Sequence, residues 1–175
     1  MEKRAKEQMT SAIRGFHLPT YNEIPDVGLF LEQTTKFISE HLEPLQNVTI
    51  TSSMISNYVK KKIVESPVKK QYSRDQIAHL IFIAVAKSVL PLEDIQILLR
   101  VQRFTYETRT AYAYFCSELE NVLQYVFGIT DSMNQIEPDA ADEKIMLRNV
   151  VIAVAHKVYL DRCCTVLRES LPPEE

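Results

Sequence analysis

The chain has 175 residues, room for about one domain with a helical extension, and its 46% apolar and 25% charged content excludes wholesale disorder. Its only glycines, Gly15, Gly28 and Gly128, stand far apart, which excludes the glycine-rich phosphate loops of Rossmann and P-loop enzymes. The net charge of −3 is unevenly placed: residues 51–74 carry +5 and the remainder −8, a local cationic patch on an acidic body.

Residues 1–25 read as an N-terminal tail and arm. The first fifteen alternate charges, as a frayed helix or a tail does, and lack the apolar core of a signal peptide. Phe16 to Pro25, bracketed by Pro19 and Pro25, reads as extended chain. From Asp26 onward Val27, Phe30, Leu31, Thr34, Ile38, His41 and Leu42 recur at helical spacing, with Asp26 as the expected N-cap and Pro44 as the stop. After a short turn over 45–50, Thr51 is placed to cap a second helix. Met54, Ile55, Tyr58 and Val59 form one side of it. Ser52, Ser53, Ser56, Asn57, Lys60 and Lys61 form the other.

Ile63 to Gln71, with Pro67 and two lysines, reads as a loop. Ser73 and Gln76 form a capping box ahead of a broadly apolar helix through Ile77, Leu80, Ile81, Ala84, Val85 and Val89. Pro91 opens the next, with Leu92, Ile95, Leu98 and Leu99 facing inward. Beyond residue 103 two longer helices are expected. One runs from Tyr112 to Val126, with Gly128 just past its end. The other begins at Asp139 or Asp142 and reaches about Arg168. It is apolar almost all round between Val150 and Leu160, so it needs neighbours on most sides, from its own chain or a second subunit. The longest nearly uncharged apolar stretch, Ile77 to Ala86, falls short of the roughly 20 residues that cross a bilayer. Three cysteines without a CxxC suit a reducing, cytoplasmic compartment.

Two helices joined by a short turn, the second with a small-polar and basic outer face, have the layout of a helix-turn-helix. Such a recognition helix buries one side against its support and presents short donors and acceptors to base edges with the other. Ser52, Ser53, Ser56 and Asn57 are assigned to base edges. Lys60 and Lys61, with Lys69 and Lys70 at a positive loop tip, are assigned to phosphates, and Tyr58 mainly to packing. The same lysines read without that context are a solvated helix end favoured by the helix dipole.

The stretch Ile50 to Leu99 resembles the MerR-type winged helix-turn-helix. The matching residues are Met54 to Val64 for the recognition helix and its exit, Pro67, a Lys69-Lys70 wing, Tyr72-Ser73, and Leu92-Glu93-Asp94-Ile95. More closely, the whole chain resembles an uncharacterised bacterial family of MerR-like domains with a helical C-terminal extension. Two positions depart from the pattern: Lys62 stands where glycine usually follows the recognition helix, and Gln71 where an arginine usually precedes the wing tyrosine. The resemblance implies a homodimer through C-terminal helices and an operator with two half-sites, although no long uninterrupted heptad seam is evident.

The expectation is therefore an all-α protein with a small β wing: an arm over 1–25, a winged helix-turn-helix over 26–103, and a helical dimerisation or effector module over 104–175. Its expected activity is sequence-specific binding of double-stranded DNA in transcription regulation, with no catalytic group, metal or cofactor. The alternative is a protein-interaction module reusing the fold without DNA. An enzyme or ligand-binding protein acting through the C-terminal half would need a converging set of polar groups, which the sequence lacks. Phe104, Tyr106, Tyr112, Tyr114 and Phe115 at helical spacing are ordinary core or boundary residues. Their functional alternative is the wall of an effector pocket, with Tyr106, Tyr112 and Tyr114 as its candidates. Cys116, Cys163 and Cys164 read as core or structural, and His41, His79 and His156 as satisfied interior or boundary histidines.

Overall fold

The computed structural model describes residues 3–170, so the first two residues of the arm and the last five of the C-terminal module lie outside it. The described residues are mostly helical. They form α1 (Lys3–Ile13), a strand β1 (Leu29–Phe30), α2 (Leu31–Leu42) running into a 3-10 turn (Glu43–Leu45), and α3 (Ser52–Lys60). A strand β2 (Gln71–Tyr72) follows, then α4 (Arg74–Ala86), α5 (Leu92–Thr105), α6 (Thr108–Val126) and α7 (Asp142–Ser170). The two strands pair antiparallel, Leu29 opposite Tyr72 and Phe30 opposite Gln71.

The broadly apolar α4 lies at the centre, as its composition demands. Ile77, Leu80, Ile81, Ile83 and Ala84 are all buried, and the helix packs against α2, α5, α6 and α7. A continuous core joins Met9 and Ile13 of α1, through α4, to Val151, Val154 and Val158 of α7. The expected frayed N-terminus is thus a packed helix, lying against α7 and the 3-10 turn. The arm is not free either. Phe16, Leu18 and Ile24 are buried, the Tyr112 hydroxyl donates to the Pro19 carbonyl at 2.8 Å, and Glu120 accepts from the Leu18 N–H at 3.1 Å.

Local signals set several boundaries as expected. Thr51 Oγ1 accepts from the Met54 N–H at 3.2 Å. Ser73 and Gln76 cap each other reciprocally, at 3.3 and 2.8 Å. The start of α2 differs. Asp26 is no N-cap, since the helix begins at Leu31, where the Gln33 side chain accepts the Phe30 N–H at 3.0 Å. Gly28 breaks the helical run with φ of +79°, and a Cβ there would lie 3.0 Å from that of Gln71 across the strand pair. Val27, expected on the buried stripe, is therefore 79% exposed and Phe30 half-exposed, while Asp26 faces the Arg74 guanidinium at 3.8 Å.

Lys62 takes the left-handed conformation, φ +57°, that glycine usually supplies at a helix exit. The Lys62 N–H donates to the Val59 carbonyl at 3.0 Å and the Ile63 N–H to that of Tyr58 at 2.9 Å, a complete Schellman closure in which Ile63 and Tyr58 are both buried. A side chain there costs about 1 kcal/mol. Lys62→Gly is therefore expected to raise the thermal midpoint by about 2–4 °C, measured by circular dichroism. A lower midpoint would mean that the lysine side chain stabilises the exit.

Helices α6 and α7 are welded by a buried ion pair. Glu118 takes two bonds from Arg148, at 2.6 Å from Nε and 3.1 Å from Nη2, and Arg148 Nη1 donates to the Asn134 carbonyl at 2.6 Å. One face of α7 is buried within the chain; Ala153, His156, Leu160 and Cys164 lie on the other, exposed. His156 and Cys164 are thus solvent-facing rather than packed. Cys116 is buried, and its burial pushes the thiol pKa up to about 12. Among the described residues no helix is long and apolar enough to cross a membrane.

Candidate functional site

Helix α3 is held on α2 from its inner side. Ile55 and Tyr58 are fully buried, and Ser52, half-buried, shares a hydrogen bond of 2.9 Å with the Thr35 hydroxyl of α2. Burial raises the Tyr58 phenol pKa, and its hydroxyl has no hydrogen-bond partner among the described residues. With those residues turned inward, the helical repeat leaves Ser53, Ser56, Asn57 and Lys60 at steps of three and four on one outward stripe, all exposed. The three short polar side chains make no hydrogen bond to any described residue, so their donors and acceptors are open to a partner. Lys61 is exposed at the helix end. Of the residues assigned to base edges, then, Ser53, Ser56 and Asn57 share one free face and Ser52 is tied into the helix pair.

The lysine-tipped loop is a tight hairpin. Val68 bridges Gln71, with the Gln71 N–H donating to the Val68 carbonyl at 2.9 Å, and the two residues between have φ of +48° (Lys69) and +65° (Lys70). Positive φ at both central positions is the signature of a type I′ turn, which normally employs Asn-Gly. Two lysines hold it instead, at a backbone cost of about 1–2 kcal/mol each. Strain of this kind clusters at functional sites. Both lysines and Val68 are exposed. The hairpin is anchored at its base by the β1–β2 pair and by Gln76, whose side-chain amide donates to the Glu65 carbonyl at 2.8 Å. This pair of left-handed lysines was not foreseeable from the sequence, which offers neither glycine nor asparagine there.

The second candidate place lies on the far side of α4. A cavity of about 240 Å³ opens between α4, α5, α6 and the first turn of α7, and Tyr106, Tyr112 and Tyr114 all line it, joined by Phe82, Phe115 and Leu98. Phe104, read with the same cluster, points away and is 82% exposed. The polar groups that sequence spacing did not find are His79 of α4 and Gln102 of α5, whose Nε2 and Oε1 lie 3.2 Å apart. Burial, and then the nearby Arg103 cation, lower the His79 pKa and keep the ring neutral at pH 7. At the mouth, the Thr105 hydroxyl donates to the Val101 carbonyl at 2.9 Å and lies 3.3 Å from Glu143 Oε1, and Lys144 lies over the Tyr114 ring at 5.5 Å. Among the described residues no group of histidine, cysteine and acidic side chains is placed to hold a metal.

A family model described as a domain of unknown function, DUF1836, matches residues 19–115, more than half of the chain. The match runs from Pro19 in the arm through α2, α3, the hairpin, α4 and α5 to Phe115 in α6, and so includes both candidate places except the α7 wall of the cavity. Comparison with curated proteins found no match, and neither did comparison with solved structures. On the family match, the chain belongs to the DUF1836 family, domains of unknown function.

Proposed function

We propose that α2, α3 and the hairpin constitute a winged helix-turn-helix of the MerR type, and that the chain binds double-stranded DNA sequence-specifically as a transcription regulator. The observation that carries this reading is the outward stripe of α3. Ser53, Ser56 and Asn57 are exposed, unengaged, and short enough to reach base edges in a major groove. Lys60 and Lys61 at the helix end and Lys69 and Lys70 at the strained tip supply phosphate contacts, which position the module and carry no sequence information. The two departures from the MerR pattern are compatible with this reading. Lys62 makes the exit turn without glycine, and Gln71 pairs with Phe30 at the base of the hairpin.

The same reading brings two copies to one operator. On α7, Met146, Asn149, Ala153, His156, Leu160 and Leu167 are exposed and fall on one stripe, mostly at alternating steps of three and four, the spacing of a coiled-coil seam. A second α7 packed on it gives a homodimer and an operator of two half-sites. Selection of bound duplexes from a random pool tests both parts. The expected result is an enriched inverted repeat; a pool that remains random after repeated rounds contradicts sequence-specific binding.

A further inference from the structure

The walls of the cavity behind α4 state what it accepts. We propose that it is a binding site for a small neutral bicyclic aromatic molecule bearing one N–H or O–H donor, held between α4–α5 on one side and α6–α7 on the other.

Size sets the first limit. An apolar cavity of about 150 Å³ accommodates benzene. At about 240 Å³ this one has space for a second fused ring and little more. Shape and surface set the second. Phe82 and Phe115 meet edge to face, with centroids 5.3 Å apart, and Tyr106, Tyr112 and Tyr114 complete an aromatic lining. Rings prefer such offset and edge contacts, and a flat apolar guest finds them on several sides.

Charge sets the third. Glu143 and Lys144 stand at the mouth, one of each sign, so the entrance carries no net charge. Apart from them the lining carries no charged side chain, so a charged group taken into that interior would lose its water with no counter-charge beside it. The polar pair inside then fixes the single donor. Gln102 donates its amide to the Tyr106 carbonyl at 2.7 Å, so its Oε1 faces the His79 ring as acceptor. His79 must therefore carry its proton on Nε2. Its Nδ1 lone pair has no hydrogen-bond partner among the described residues and accepts from the guest.

The site does not depend on DNA binding, and its test uses none. The full chain is titrated with indole, 1-methylindole and indole-3-acetate, with affinity from calorimetry and nuclear Overhauser effects recorded from the probe to the Phe82 and Phe115 rings. Indole is expected to bind saturably with those effects, 1-methylindole about tenfold more weakly for want of the donor, and indole-3-acetate more weakly still. His79→Phe should remove the difference between indole and 1-methylindole. Ala111→Phe, which fills the cavity from α6, should abolish indole binding, and Leu98→Phe does the same from α5 if the first variant does not fold. Absence of effects to those rings in the wild-type chain overturns the proposal. So does indole-3-acetate binding as tightly as indole, or wild-type affinity in a folded filled variant.

Discussion

Replacing Lys60, Lys61, Lys69 and Lys70 together by alanine is expected to lower affinity for duplex DNA roughly a thousandfold for each bound copy at 0.1 M salt, with the fold intact. Each lysine that neutralises a phosphate releases condensed counterions, and this contributes nearly a factor of ten per contact at that salt concentration. All four side chains are exposed, and none closes a hydrogen bond or ion pair within the described residues, so their removal leaves the core untouched. A protein-interaction module of the same shape predicts no such loss. The paired measurement is anisotropy of a labelled duplex beside the thermal midpoint of each protein. A large fall in affinity with an unchanged midpoint isolates the surface effect.

The second large effect concerns stability. Glu118→Ala strands the Arg148 guanidinium, which is 9% exposed, between α6 and α7 with only the Asn134 carbonyl left to it. Removing one partner of a buried pair costs about 3–5 kcal/mol, because the remaining charge has lost its water and has no counter-charge. For a chain of this length that is a fall in thermal midpoint of roughly 10 °C. Alanine is the best helix former, so helix propensity opposes the effect and cannot produce it. Replacing both residues by apolar side chains, Glu118→Leu with Arg148→Met, should return most of the loss. If the double variant is as unstable as the single one, the cost belongs to shape rather than to the orphaned charge.

What was legible in the sequence was local. Thr51 and Ser73-Gln76 announce helix starts through side chains that reach only three residues, and the inward positions of α3 and α4 follow from periodicity alone. The error at Asp26 has an equally local cause. Val27, Phe30, Leu31 and Thr34 keep helical spacing by coincidence, while Gly28 turns the backbone into a strand that pairs 43 residues away with Tyr72. The free stripe on α7 was obscured because that helix is apolar on two faces, and its outward positions include Asn149 and His156, which interrupt a simple hydrophobic pattern.

The two candidate places divide in the same way. The residues proposed to face DNA were readable because they sit on one helix and one loop, each with its own period or turn. What structure adds is that Ser52 is committed to Thr35 and that the lysine tip is held in a left-handed turn. The cavity is assembled from four helices. Its tyrosines stand close together in sequence and were found, whereas His79 and Gln102 meet across 23 residues and were not.

The claim on which the rest depends is that the lysines at the end of α3 and at the hairpin tip meet phosphates. Its most direct test titrates the wild-type chain and the four-lysine variant with one duplex at salt concentrations from about 0.05 to 0.3 M. The logarithm of affinity against that of salt should fall with a slope steeper in the wild type by about 3.6 for each bound copy, close to 0.9 for each lysine. Two parallel lines, or a wild-type affinity indifferent to salt, would contradict it.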